Sequence, residues 1–316
     1  MITFPRTLEE ATAAHGEIRA GATDLFERRR LRIATGDLVD LRDLPGHDAI
    51  AWDGEHLRVG ALVTVAALAE HPEVVAHFPA IAAAAGGLAT PQIRAQATVG
   101  GNLLQRVRCW YFRSPDLRCL KQGGSACLAR AGDHLYHACF DHGPCVAPHP
   151  STLGLAFLAH DADVESAGHG AEPRTRSVAE LYGDPGDPTR EHTLEPGSIL
   201  TAVKIHAPLP GERGAYFRAI SRARAEWPLV EVVARVGVGD GVIHSAQVAI
   251  GGVANRPLRL PAVEAALRGQ PARAEVLEAA ALQAKQGAKP LPMTGYKVDL
   301  LPGAVLEALE RALTPA

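Results

Sequence analysis

The chain has 316 residues, 47% of them hydrophobic and 21% charged, enough apolar mass for a full core and for two or three domains. A formal charge of -3 and an aromatic content of 5% argue against the basic, base-stacking surface of a nucleic-acid binder. Met1 to Arg6 enters a polar, alanine-rich segment directly, so the expectation is a soluble chain with no signal peptide of its own and no membrane span.

Thr7-Leu8-Glu9-Glu10 reads as a capping box opening a helix over Leu8 to His15. Ile18 to Leu25 predicts a short strand, a glycine turn and an arginine-rich helix (Phe26 to Arg32); such a turn exposes backbone N–H groups that suit a phosphate. Leu38 to Leu41 is a strand. Ala49 to Trp52 and His56 to Gly60 flank Asp53-Gly54 as a hairpin. Thr64 caps a short helix, and Pro79 to Ala85 predicts a buried alanine helix stopped by Gly86-Gly87. Pro91-Gln92-Ile93-Arg94 leads into a second glycine turn, Ala97-Thr98-Val99-Gly100-Gly101-Asn102-Leu103. Two α/β units, each with one phosphate-shaped turn, therefore fill the first hundred residues.

From about Arg106 to Pro150 no helical or alternating period persists, and a loop of that length inside a compact chain is expected to be functional. After it, Leu153 to Ala159 returns to helix and Ala162 to Ser166 to strand, which makes the stretch an insertion. Gly183 to Pro188 is a surface loop. A strand starts near Ser198 and runs to Ile205, and Pro208-Leu209-Pro210-Gly211 marks a boundary. Strands over Ala215 to Ser221, Leu229 to Val238 and Val242 to Ile250, the last two joined at Gly239-Asp240-Gly241, precede helices over Pro261 to Leu267, Ala274 to Gln286 and Pro302 to Leu313. Strands first and helices after predict an α+β C-terminal domain.

All five cysteines fall inside the insertion: Cys109, Cys119, Cys127, Cys139 and Cys145. A chain this long needs no disulfide framework, and clustering points to metal. Thiolates select zinc or iron–sulfur clusters, while the lack of any C-x2-C pair fits neither a zinc ribbon nor a bacterial-ferredoxin run. His134, His137, His142 and His149 lie close by. Spacing leaves three possibilities open: an iron–sulfur cluster, a Cys/His zinc site, or unligated thiols. A phosphate-shaped turn followed at once by a closed set of thiols suggests two redox groups side by side.

The motif Ala97 to Leu103 resembles the second flavin motif of the FAD-binding subunits of molybdenum hydroxylases, the xanthine dehydrogenase family, and Ile18 to Leu25 resembles their first. Leu57 to Ala61, Ala249 to Ala254 and Gly295 to Val298 match as well, so the likeness runs from Ile2 to about Leu313. Within that family, R-x-R-C-W-Y-F (Arg106 to Phe112), G-G-S-A-C (Gly123 to Cys127) and C-V-A-P-H-P-S (Cys145 to Ser151) resemble the flavin subunit of heterotrimeric, periplasmic-type bacterial aldehyde oxidoreductases.

The resemblance implies an α+β chain: a two-subdomain FAD-binding fold of the vanillyl-alcohol-oxidase/PCMH type over 1-207, with subdomains of about 1-55 and 56-207 and a 4Fe–4S insertion over about 106-150. A C-terminal α+β domain over 211-316 follows. For the cluster it implies Cys109, Cys119, Cys127 and Cys145 as ligands, with Cys139 a buried packing thiol. For FAD it implies Ala20, Gly21, Ala22, Thr23 and Asp24 on the pyrophosphate, flanked by Arg19 and Leu25. Thr98, Gly101 and Asn102 would reach the phosphates and ribityl chain, Thr152 would stand where the motif carries a contacting Asp, and Leu200 and Arg218 would lie near the isoalloxazine ring. Ala22 replaces a glycine and Ala95 an Asn; these departures bear on single contacts.

The function so implied is an electron-transfer subunit of a molybdenum-containing aldehyde or N-heterocycle oxidoreductase. Partners would be a large molybdopterin-binding subunit and a small 2Fe–2S subunit, in a heterotrimer or a dimer of heterotrimers. The location would be cytoplasmic, or periplasmic by co-export on a partner's twin-arginine signal. No acid/base pair in the chain needs a catalytic role, because the cofactor carries the chemistry. The competing expectation from the residues alone is a zinc-stapled nucleotide-binding module without redox activity.

Overall fold

A computed structural model describes residues 1–140, 143–184, 186–223 and 225–314. His142, Pro185 and the last two residues of the predicted C-terminal domain lie outside them.

Among the described residues three sheets build the molecule. The first is parallel, with Leu38–Asp40 between Ile2–Thr3 and Glu17–Arg19. Parallel strands need crossovers, which the helices Leu8–Ala13 and Leu25–Arg30 supply. Thr7 caps the first of these by accepting from the Glu10 N–H, as its sequence predicts. The second sheet is antiparallel, in the order Ile50–Trp52, His56–Gly60, Ile199–His206, Asp163–Ala167, Pro173–Ser177. The third is a four-stranded antiparallel sheet of Leu258–Arg259, Val242–Gly251, Val230–Gly239 and Glu212–Ala219. Asp240 (φ 49) and Gly241 (φ 75) turn its central hairpin, both in the left-handed region that such a tight turn requires.

Two cores result. One packs the five-stranded sheet against the helices Val65–Glu70, Pro79–Gly87 and Thr152–Ala159, and reaches Tyr216, Val233 and Ala249 of the third sheet. The other packs the far face of the third sheet against Pro261–Leu267, Ala274–Ala281 and Gly295–Leu313. Every residue of Thr152–Ala159 is buried, and fully burying its Phe157 alone is worth roughly 1.5–3 kcal/mol. That burial locks the helix N-terminus, and with it Ser151 and Thr152, into the junction between the two cores.

Several expectations are corrected. Gly86 and Gly87 do not stop their helix; they form its last turn, where Gly87 gives room to the Tyr216 ring 3.1 Å from where a Cβ would stand. The C-terminal helix begins at Gly295, not at Pro302, which sits inside it. The helix from Ala274 gives way to a 3-10 turn at Leu282–Lys285. The second glycine segment is not an open turn but a short helix, Val99–Leu103, capped by Thr98. The helix Pro72–His77, the edge strand Pro173–Ser177 and the helix Val178–Leu181 carry too few apolar positions for a period to show.

Candidate cofactor site

The first glycine turn leaves the strand Glu17–Arg19 and enters the helix Leu25–Arg30. Ala22 adopts φ 61, the left-handed conformation that a glycine would take more cheaply. Gly21 is required for a different reason: a Cβ there would stand 1.9 Å from the Gln96 carbonyl oxygen, so the turn touches the second motif's backbone. Among the described residues, no backbone or side-chain acceptor takes the N–H groups of Ala20 to Asp24. A run of unpaired amides at a helix N-terminus is a ready anion cradle.

The second motif behaves otherwise. Val99 N–H bonds to Val63 O, Gly100 N–H to Ala61 O, Gly101 N–H to the Thr98 hydroxyl and Asn102 N–H to Thr98 O. The expectation that both turns offer consecutive free amides is therefore corrected, because the helical cap consumes those of the second. What this motif presents is the surface of Thr98, Gly100 and Gly101. Asn102 is a tether: its Oδ1 accepts from the Ser151 hydroxyl at 2.8 Å and from Leu153 N–H at 3.3 Å.

Both motifs line one cleft of about 570 Å³, closed by the segment Arg190 to Leu200. Ala20, Gly21, Ala22, Thr23, Asp24, Leu25, Thr98, Gly101 and Leu200 all face it. Arg19 does not line it; it pairs with Asp40 and lies over the Phe26 ring. Asn102, Thr152 and Arg218 lie outside its wall as well.

Asp24 is the electrostatic hub. Its carboxylate meets Arg113 Nη2 at 2.5 Å, Arg28 Nε at 3.0 Å and Arg108 Nη2 at 3.3 Å, and accepts from Arg106 N–H. Burial pushes its pKa up, but the cations of Arg108, Arg113 and Arg28 outweigh this and hold it below the usual carboxylate value. Arg108 and Arg113 flank Cys109, so Asp24 joins the first turn to the insertion.

A second chamber of about 400 Å³ is linked to this cleft by Arg108, which pairs with Asp24; its wall runs from Arg108 and Cys109 through His149 and Pro150 to Trp227, Glu231 and Lys297. The Lys297 ammonium is buried and donates to Tyr136 O at 2.9 Å and Gly252 O at 2.7 Å. Burial depresses its pKa to about 8. Leu200 and Arg218, paired by the resemblance, belong to different places: Leu200 faces the first cleft, while Arg218 sits opposite Glu231 of the second chamber in the strand register.

The insertion wraps four thiols around one small apolar void: Cys109, Cys119, Cys127 and Cys145, from four separate loops. Backbone amides stand near each sulfur, those of Tyr111 and Phe112, of Lys121 and Gln122, of Ala129, Arg130 and Val146, and of Ala147 respectively, and the Cys119 sulfur accepts from the Gln122 N–H. The neighbouring Cys145 holds Cys127 well below an ordinary thiol, while Cys127 and burial push Cys145 well above one. Cys139 stands apart, fully buried against the third sheet, its N–H donating to Val253 O. His134 is satisfied by Ala129 O, Gly132 O and Met293 N–H, and His149 Nδ1 accepts from Ser151 N–H. His137 Nε2 lies 3.2 Å from Cys109 Sγ. Among the described residues, no three Cys, His, Asp or Glu side chains converge tightly enough to grip a single metal ion.

Fold and site together define an oxidoreductase subunit built around a dinucleotide cleft. The family model described as the FAD binding domain in molybdopterin dehydrogenase matches residues 2–208, and that of the CO dehydrogenase flavoprotein C-terminal domain matches 215–312. The chain belongs to the FAD-binding medium subunits of the molybdenum hydroxylases. It is 38% identical over 253 residues to the aldehyde oxidoreductase FAD-binding subunit PaoB of Escherichia coli, 78% of each chain, and 26% identical to the nicotine 6-hydroxylase medium subunit of Paenarthrobacter nicotinovorans over 99% of this chain and 95% of the relative. Its fold matches a subunit of the Cu,Mo-CO dehydrogenase in its cyanide-inactivated form (TM-score 0.77, 22% identity, 98% and 96% covered) and of quinoline 2-oxidoreductase from Pseudomonas putida 86 (0.75, 19%, 98% and 95%). No helix of the described residues is long and apolar enough to cross a membrane.

Proposed function

We propose that this chain is the electron-transferring flavoprotein subunit of a molybdenum-containing oxidoreductase acting on an aldehyde or N-heterocycle. A large molybdopterin-binding partner would oxidise the substrate, and a small 2Fe–2S partner would deliver the electrons here for passage to an external acceptor. The observation that carries it is the open first turn: five consecutive amides, Ala20 to Asp24, that meet no acceptor among the described residues, at a cleft large enough for a dinucleotide. FAD, when bound, supplies the redox chemistry. The chain's residues divide the work of holding it: the turn takes the diphosphate, Leu200 lines the same cleft, and the ring enters the second chamber on the side of Glu231, which Thr152 contacts and Arg218 faces in the strand register.

The four thiols fit a 4Fe–4S cluster. Their donor set is all soft sulfur, their walls are Val107, Phe112, Leu128 and Ala147, and backbone amides stand near every sulfur, where they would tune such a cluster. A tetrahedral zinc site would draw on the same soft donors, and iron, sulfide and zinc analysis of the purified complex separates the two readings. On the cluster reading the FAD-binding part spans 1-207, the insertion 106-150, and the C-terminal part begins at 211.

The chain produced together with its two partners should carry a flavin absorption band and about four irons with four sulfides beyond those of the 2Fe–2S subunit. A complex with both partners present but neither flavin nor extra iron would refute the reading.

A further inference from the structure

Among the described residues Glu231 is the one buried acid in the wall of the second chamber, at 2% exposure, and the reading above gives its carboxyl no bond to the cofactor. It lies on the strand Val230–Gly239, opposite Arg218 on one side and Gly251 on the other. Two hydroxyls aim it: Thr152 Oγ1 donates to Oε2 at 2.8 Å, and Tyr216 Oη donates to the same oxygen at 2.9 Å. The other oxygen, Oε1, rests over Gly251, where a Cβ would come within 2.7 Å of it. Gly251 thus leaves a slot that the carboxyl fills.

Two donors on one oxygen and none from the described residues on the other is an asymmetric arrangement. With both hydroxyls on Oε2, the other oxygen keeps its hydrogen-bonding capacity for a ligand in the chamber. Burial raises its pKa, with the two hydroxyls and Arg218 opposing, so the group is biased toward the acid, which can donate as well as accept. The chamber's wall also carries the rings of Trp110, Tyr136 and Trp227, the cations of Arg108 and Lys297 and the half-buried Glu226, so the buried Glu231 is suited to the polar edge of a planar heterocycle.

We propose that Glu231 is a cofactor-contact residue: its carboxyl, aimed by Thr152 and Tyr216 and accommodated by Gly251, hydrogen-bonds the polar edge of the flavin ring in the second chamber. This rests on the reading that FAD binds here with its ring in that chamber. The competing role is structural, a strut between the helix Thr152–Ala159 and the third sheet, and the two differ in what they do to the flavin.

The test uses the assembled complex with FAD and compares the wild type with Glu231→Leu and Glu231→Gln. FAD stoichiometry, the flavin absorption envelope, its midpoint potential and FAD affinity after deflavination are measured. The expectation is that Glu231→Leu retains FAD on the first turn but binds it about three- to tenfold more weakly, the loss of one hydrogen bond, with a displaced absorption envelope and potential. Glu231→Gln, which keeps a donor and an acceptor in the same volume, restores the envelope and most of the affinity. A Glu231→Leu protein that melts earlier yet keeps the wild-type envelope and potential overturns the proposal and leaves a strut. Should Glu231→Leu fail to fold, Thr152→Val and Tyr216→Phe each remove one aiming hydroxyl; both are expected to displace the envelope, and wild-type envelopes in both overturn it. A wild-type complex without flavin overturns the FAD reading itself, a different result from an unaltered variant.

Discussion

Asp24→Asn isolates one carboxylate that holds two parts of the chain together. The side chain is 13% exposed and faces Arg28, Arg108 and Arg113 at 2.5–3.3 Å. Removing one partner of a buried ion pair leaves the others uncompensated, at roughly 3–5 kcal/mol. Asparagine keeps the volume and one acceptor, and Arg108 and Arg113 also reach Glu27, so about 2–3 kcal/mol is the expected loss at pH 7. For a cooperative unit of this size that is a fall of roughly 4–12 °C in Tm. Because Arg113 also bonds Val107 O and Arg106 O, the Cys109 loop should loosen, and the variant should lose iron as well as flavin. The pH dependence has a definite sign. The folded-state pKa of Asp24 is depressed, so its contribution is complete above the unfolded carboxylate value of about 4 and is lost as pH falls through the lower folded value. The Tm gap between wild type and variant is therefore present at pH 7 and narrows only at strongly acid pH. Calorimetry across that range, with iron and flavin assayed at each step, checks it. Equal Tm values at pH 7, or a gap that widens on acidification, would refute the reasoning.

Three further outcomes are expected. Cys119→Ser should abolish the extra iron and leave FAD in place, whereas Cys139→Ser should leave both and lower stability only; iron loss in Cys139→Ser with retention in Cys119→Ser would reverse the ligand assignment. Gly21→Ala drives a methyl into the Gln96 carbonyl, so overpacking of roughly 1–3 kcal/mol and at least a tenfold loss of FAD affinity are expected by melting and flavin titration, with wild-type binding as the contrary result. His149 and His160 are buried and held neutral, each with its pKa lowered to about 3 by burial. The unfolded chain, with His near 6.5, binds more protons between about pH 3 and 6.5. Stability should therefore fall as pH drops through that window, each group contributing up to about 1.4 kcal/mol per pH unit, and His160→Gln should flatten the profile measured by urea unfolding.

Local chemistry made much of this legible in the sequence. The Thr7 cap, the Asp53-Gly54 hairpin, the two long strands of the third sheet and the helix from Pro261 to Leu267 each depend on neighbours within a few residues, and they form where expected. The first turn was readable for the same reason, since a strand, a glycine and a helix start sit within eight residues. Short elements on polar segments, such as Pro173–Ser177, left no period to read, because their pairing partner supplies the order.

What the sequence by itself determined is the inventory: two glycine motifs, five thiols in one insertion, and a strand-then-helix C-terminal half. Only the tertiary structure decided how these are used. It spends the second motif's amides on its own helix cap, and it sorts the thiols into four around one void and one in a distant core. It also brings Glu231 to a chamber whose other walls come from residues 108 to 297. The physical reason is that a hydrogen-bonding group or a thiol acquires its role from what surrounds it, and those surroundings are assembled by contacts between residues far apart in the chain.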